Sequence, residues 1–193
     1  MAGFESVGAV GSSLARLLRL AFAEQQPIQG QQTGVVVIRT DDLDLKNDTE
    51  IVFPALSLLL YRVDFDKTMR AAWATRSAEE NRTFLPLDLH YLVTAWADNA
   101  VHEHLIVGRT LEVLESVPTL SGPLLDPAGR WAPDESVSVV MEDLTTDDLM
   151  RTFEALTVDF RLSLPYQARV VVVAGPQTAG PPLVGTVTLE VAS

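Results

Sequence analysis

The feature that most constrains the fold is a segment in which apolar residues recur at every second position. Five apolar side chains alternate there with neighbours that are mostly polar: Leu85, Leu87, Leu89, Tyr91 and Val93. A period of two places these side chains on one face of a β-strand, and a helix fits the segment less well. The long apolar run Ile51–Val63 predicts a second strand that is buried on much of both faces. A sheet built around these two strands is therefore expected.

Four further strands are predicted, at Val35–Arg39, Val137–Met141, Phe160–Ala174 and Leu183–Val191. The first of them contains four consecutive β-branched residues, which disfavour a helix. Pro165 lies inside Phe160–Ala174 and has no backbone N–H to donate, so an edge position or a bulge is expected at that point.

Three helices are predicted, at residues 4–24, 102–117 and 146–156. The first two place apolar residues at three- and four-residue steps. The third begins with a capping signal, because Thr145 stands at the N-cap and Asp148 stands three residues later. Segment 64–83 is polar and predicts a loop with one helical turn around Thr68–Ala74.

Strands and helices do not alternate regularly along the chain. This pattern predicts an α+β fold, in which a mainly antiparallel or mixed sheet of about six strands is flanked by about three helices. Residues 1–193 are expected to form a single domain. The loop GPQTAGPP precedes the last predicted strand, so residues 175–193 are a candidate C-terminal hairpin arm.

The charge of the chain excludes several function classes. The formal net charge is −12, and the Lys and Arg residues are scattered singly. Binding to nucleic acid requires a basic stripe, and an acidic chain is also repelled by anionic lipid, so neither partner is expected. The absence of cysteine excludes disulfides, thiolate nucleophiles and cysteine-ligated metals. No secretory signal or membrane span is recognised, and the expected location is the cytoplasm.

Two polar clusters were weighed as metal sites. His102-Glu103-His104, with His90 as a third ligand, matches no known metal motif and fits a solvated helix start better. The acidic loop 41–50 departs from the EF-hand pattern, because Lys46 stands where a ligand is needed. Glycine-rich phosphate loops and a G-x-S-x-G elbow are absent from the sequence. No enzymatic activity, cofactor or metal is therefore expected.

The three tryptophans are candidates for core or interface positions. Trp96 follows an apolar strand and is expected in the core, whereas Trp73 and Trp131 lie in polar surroundings. Each of these two is either an interface residue or a local cover over the core. The residues selected as candidate contacts with partner proteins are Arg70, Trp73, Arg76, Trp131, Leu183 and Val187.

Five segments, taken in order, carry a family resemblance. They are FESVGAVGSSLARLL at the N-terminus, LSLLLYRVDFDKTMR ending at Arg70, LPLDLHYLVTAWA at 85–97, LIVGRTLEVLESVPTL at 105–120, and LTTDDLMRTFEAL followed by FRLSLPYQARVVVV up to Val173. Together they resemble the cap or tube-terminator proteins of extracellular contractile injection systems, which are phage-tail-like particles. The family pattern has Asn in place of Asp66 and Ala71, and Trp in place of Phe153.

The resemblance implies a non-enzymatic structural subunit with a tail-terminator-like domain. Six copies would form a ring at the end of the particle distal to the baseplate, where they stop growth of the inner tube and tie it to the sheath. The implied partners are other copies of the chain, the tube protein and the sheath protein. Leu183–Val191 would either add to a neighbour's sheet or form an ordinary hairpin within the chain.

Two other functions remain open at this stage. One is a different adaptor role in the same type of particle, close to the sheath or the baseplate. The other is a small hydrolase or metal-dependent enzyme, which would require a concave pocket with converging polar groups.

Overall fold

A computed structural model describes residues 2–44, 51–156 and 159–177. The described part of the chain contains four α-helices: α1 (Glu5–Glu24), α2 (Arg70–Glu80), α3 (Ala100–Ser116) and α4 (Thr146–Leu156). It also contains six strands: β1 (Gly34–Ile38), β2 (Ala55–Phe65), β3 (Arg82–Trp96), β4 (Thr119–Ser121), β5 (Ser136–Met141) and β6 (Ser163–Gln177). No helix within these ranges combines the length and apolarity that crossing a bilayer requires.

All six strands form one sheet in the order β1-β2-β3-β6-β5-β4. The pair β1–β2 is parallel, and every other neighbouring pair is antiparallel. The sheet is therefore mixed, and the predicted α+β class is confirmed. Its three longest strands, β2, β3 and β6, lie side by side at the centre.

The two faces of the sheet bury separate apolar clusters. On one face, α1 and α3 cover the larger cluster, to which Leu18 and Ile106 contribute fully buried side chains. On the other face, Phe153 of α4 packs in a cluster with Trp96. Trp96 is fully buried, as predicted, and its Nε1 donates a hydrogen bond of 2.8 Å to Ser57 Oγ. Because both faces are covered, the C-terminal half of β3 (residues 89–96) is buried on both sides.

Several predicted elements are confirmed. α1 and α3 begin and end within two residues of the predicted positions. At the start of α4, the backbone N–H of Asp148 donates to Thr145 Oγ1, and this hydroxyl donates to the Asp148 carboxylate at 2.7 Å. The capping signal thus acts as the sequence predicted.

Three predictions about the elements are wrong. Segment 64–83 is not mainly loop, because α2 occupies Arg70–Glu80. None of the residues of this helix is fully buried, and its sequence therefore lacks the apolar stripe by which a helix is recognised. Residues 119–136, whose Gly-Pro and Asp-Pro turns predict a loop, contain the short strand β4. β6 is not an edge strand at Pro165: the prolyl carbonyl accepts from Glu142 N, and residue pairing with β5 begins only at Tyr166. Pro165, which has no N–H to donate, therefore lies just beyond the hydrogen-bonded ladder between β5 and β6.

The number of strands agrees with the prediction, although the members differ. β4 takes the sixth place in the described sheet. The predicted strand Leu183–Val191 lies outside the described residues.

Candidate assembly surface

The three central strands extend beyond their neighbours and form an arm. β1 pairs with β2 only up to Leu59, and β5 pairs with β6 only up to Arg169. The arm, defined here as residues 60–88 and 169–177, therefore continues as three strands, of which β2 and β3 are connected at the tip by α2. Within the described residues, the outer edge of β6 beyond β5 has one backbone contact, from Ala174 N to Ala2 O at 3.0 Å. Unpaired strand edges of this kind are templates for pairing with another chain.

One face of the arm carries α2, which is held by aromatic and cationic side chains. The rings of Trp73 and Phe84 lie 5.4 Å apart. The Arg76 guanidinium lies 5.2 Å from the Trp73 ring and 5.5 Å from the Phe84 ring. Arg70 lies over Phe65 at 5.0 Å. The arm thus brings together three of the predicted contact residues, Arg70, Trp73 and Arg76.

The opposite face of the arm exposes an apolar patch formed by Val63, Phe65 and Leu85. Their exposed fractions are 47%, 42% and 47%. Phe65 pairs with Leu87 in the register of β2 and β3, so the patch continues the face that α1 and α3 cover further along the sheet. Arg70 reaches from α2 over the Phe65 ring, and the three side chains of the patch remain roughly half exposed. Exposed apolar side chains that cluster in this way are typical of an interaction site.

A polar groove of about 520 Å³ lies beside the arm, where it meets the body of the sheet. Its lining includes His90, which is 3% exposed. His90 Nδ1 lies 2.9 Å from the Glu142 carboxylate, and its Nε2 lies 3.4 Å from Asp64. Arg62 donates to Glu142 at 2.8 Å. His90 thus bridges the Glu142 and Asp64 carboxylates, and Arg62 Nη2 lies 3.0 Å from its Nδ1.

Tyr61 belongs to the same network. Its hydroxyl donates to Glu142 Oε2 at 3.3 Å. Burial raises the pKa of Tyr61 to about 12, and the nearby Glu142 carboxylate adds to the rise. The phenol therefore stays protonated at neutral pH and serves as a hydrogen-bond donor.

Two further acids line the groove, and each has one enclosed oxygen. Asp66 Oδ1 accepts from the N–H groups of Thr68 and Met69 and shapes the turn before α2. Asp66 Oδ2 is buried without a hydrogen-bond partner; Arg169 lies 3.5 Å away, close enough for attraction but without hydrogen-bond geometry. Asp88 Oδ1 is also buried without a hydrogen-bond partner. Burial, followed by the charge of Asp66, raises the pKa of Asp88, and Arg169 and His90 oppose the rise.

The remaining sequence candidates lie elsewhere. Trp131 packs against the larger core cluster, and its Nε1 donates to Asp126 O at 2.8 Å, a placement that fits a cover over the core. Leu183 and Val187 lie outside the described residues. The role of all six candidates as partner contacts stays a prediction.

The two clusters weighed as metal sites are also located. His102 lies in the first turn of α3, where its N–H donates to the N-cap Asn99. In the acidic loop, Asp42 accepts from Arg39 N within a short 3₁₀ turn. Across residues 2–44, 51–156 and 159–177, no group of three or more His, Asp or Glu side chains is arranged to hold a metal ion.

The sequence and the fold both resemble known proteins. The model of the Pvc16 N-terminal domain matches residues 9–186. Two solved structures share the fold, each with a TM-score of 0.55 and 20% identity. One is the PVC sheath/tube terminator of an extracellular contractile injection system in its extended state, where the match covers 96% of this chain and 63% of that chain. The other is the tube-terminating cap of the anti-feeding prophage, with 95% and 60% covered.

The chain therefore spans about three fifths of the length of the solved structures that it matches. No curated protein matches it.

The environment of Asp88 predicts a pH-dependent stability difference. Its pKa is higher in the folded chain than the ordinary value of 3.8, so the ionised form penalises folding at neutral pH, and the penalty disappears once the pH falls below 3.8. Asp88→Asn removes this penalty and should raise Tm at pH 7. The rise should be only about 1 to 2 °C, because solvent screens part of the repulsion. The gain should shrink steadily as the pH is lowered.

Thermal melts of both proteins across this pH range measure the effect. Asp134→Asn, at an exposed loop position, is the matched control and should leave Tm unchanged at each pH. A lower Tm for Asp88→Asn at pH 7, or a gain independent of pH, would contradict the explanation.

Proposed function

Because the chain belongs to the Pvc16 N-terminal domain family, we propose that it is a structural cap of a contractile injection particle. In this role it terminates the inner tube and links it to the sheath at the end distal to the baseplate. The observation that carries the proposal is the family match over residues 9–186, together with a fold shared with two tube terminators. The resemblance of the five sequence segments points to the same family.

The proposed partners are other copies of the chain in a six-membered ring, the tube protein and the sheath protein. A ring uses a heterologous interface, in which one patch meets a different patch on the next copy. The arm supports this arrangement because it projects an apolar patch and unpaired strand edges away from the body. Cytoplasmic assembly is part of the proposal.

The proposed role is non-enzymatic, and the polar groove supports this view. A hydrolase would need a histidine with a free ring nitrogen directed towards a nucleophile. In the groove, both nitrogens of His90 lie beside the carboxylates of Glu142 and Asp64. The groove thus resembles a charged cross-link between β2, β3 and the end of β5.

The second candidate is an adaptor that lies elsewhere in the same particle, and the two roles differ in position. A chain labelled at an exposed α3 residue, such as Val101 (66% exposed), should appear by electron microscopy at one end of each particle, opposite the baseplate. Label along the shaft or at the baseplate would overturn the cap in favour of the adaptor. The control is an unlabelled chain treated with the same reagent.

We also propose that the C-terminal segment 175–193, of which residues 175–177 still belong to β6, adds a strand to a neighbouring protein beyond Gln177. A hairpin within the chain would return along the outer edge of β6, where Ala174 N already donates to Ala2 O. The internal hairpin would have to displace this contact, and pairing with a neighbour avoids the conflict.

Deletion of residues 182–193 separates the two arrangements. For an external arm, we expect an unchanged Tm, an intact ring and loss of sheath attachment in particles examined by electron microscopy. A large fall in Tm would instead show that the segment belongs to the chain's own fold. The matched control replaces the same residues with a Gly/Ser sequence of equal length.

A further inference from the structure

The arm differs in charge from the rest of the molecule. It contains six Lys or Arg residues and five Asp or Glu residues, whereas the whole chain contains 14 and 26. The remainder therefore has eight cations against 21 acids. Two copies of so acidic a body repel each other. The arm is the part of the chain that approaches another copy without this repulsion.

A second apolar surface lies on the body, in a groove between α1 and α3. Its floor is formed by Leu17, Leu20, Ala21, Val113 and Val117. Leu20 is 58% exposed although it lies in the middle of an apolar stretch. The carboxylates of Glu24 and Glu112 are at the rim, and Glu112 remains 64% exposed while paired with Arg109. The groove is thus apolar inside, and its edge carries the Glu24 carboxylate together with the Arg109–Glu112 ion pair.

The arm patch has the complementary character. Val63, Phe65 and Leu85 supply apolar surface, and Arg70 lies over the Phe65 ring at their border. An arginine stacked on an aromatic ring keeps its hydrogen-bond donors available for a carboxylate. An apolar centre with a charged rim is the usual anatomy of a protein interface.

The two surfaces lie at opposite ends of the sheet. Arg19 Nε donates to Val35 O, and Val35 pairs with Leu56, so the C-terminal part of α1 lies near the start of β2. Phe65 is nine residues further along β2, which corresponds to about 30 Å of strand. One chain therefore cannot fill its own groove with its own patch.

We propose that the arm patch of one copy docks in the α1–α3 groove of a second copy. Phe65 occupies the apolar floor beside Leu20, and Arg70 faces Glu24 or Glu112. Because the two surfaces are different and lie at opposite ends, the contact is head-to-tail and generates a ring or a filament. The position of this contact in the particle rests on the proposed function, whereas the contact itself is a property of two copies of the isolated chain.

Engineered cysteines test the contact on a favourable background, since the chain has no cysteine of its own. In a variant with both Leu20→Cys and Phe65→Cys, mild oxidation should give a ladder of crosslinked oligomers. A disulfide spans at most about 7 Å between Cα atoms, so these links must join different copies. Each single variant should give no crosslinked oligomer, and thermal melts verify that all three variants fold.

Charge exchange supplies a second readout. Arg70→Glu should lower the yield of crosslinked oligomer about threefold to tenfold, and adding Glu24→Arg together with Glu112→Arg should restore it. Arg151→Glu, on the exposed surface of α4, is the matched control and should leave the yield unchanged.

The outcomes are distinguishable. Absence of crosslinks both in the isolated chain and in assembled particles overturns the proposed contact. Dimers from Phe65→Cys alone also overturn it, because they indicate that two arms meet symmetrically. If the head-to-tail ladder forms but the labelled chain is missing from the end of the particle opposite the baseplate, the contact stands and the proposed function falls.

Discussion

The pairing of β3 with both β2 and β6 is the interaction on which the rest of the structure depends. β3 is 15 residues long and forms antiparallel pairs on both sides. Its C-terminal half is covered by helices on each face of the sheet, so Trp96 and Tyr91 are fully buried there. Its N-terminal half pairs with the same two strands, β2 and β6. The outer strands β1 and β5 are short and do not extend along that part of the sheet. One strand thus builds both the core and the arm.

This change in burial along β3 places the stabilising core at one end of the sheet and the exposed arm at the other. The large side chains buried at the C-terminal end of β3 contribute most of the hydrophobic stabilisation. The arm adds a small cluster around Phe84 and Val172 and reaches the larger cluster through Leu87 and Val171. The charges divide in the same way, since six of the 14 Lys and Arg residues lie in the arm, whereas the acids are spread evenly along the chain. In the proposed cap, this division would confine the contact between copies to one projecting element.

The sequence predicted those parts of the fold in which a local pattern determines the structure. The two-residue period at 85–93 identified β3, the capping signal at Thr145 identified α4, and the five segments identified the family. Only one turn of α2 was predicted, because the helix fully buries none of its residues and packs on the sheet through Trp73, Arg76 and Arg70. The patch at Phe65 and Leu85 was missed because its exposure depends on how far α1 and α3 cover that face of the sheet, which no local pattern at 63–85 reveals.

The central claim is that the chain stops the growth of the tube, and particle length measures this directly. Particles assembled with and without the chain are compared by electron microscopy, with all other components held constant. The account predicts a single narrow length distribution with the chain, and tubes or sheaths that are irregular in length or unstable without it. Particles of normal, uniform length in the absence of the chain would contradict the account.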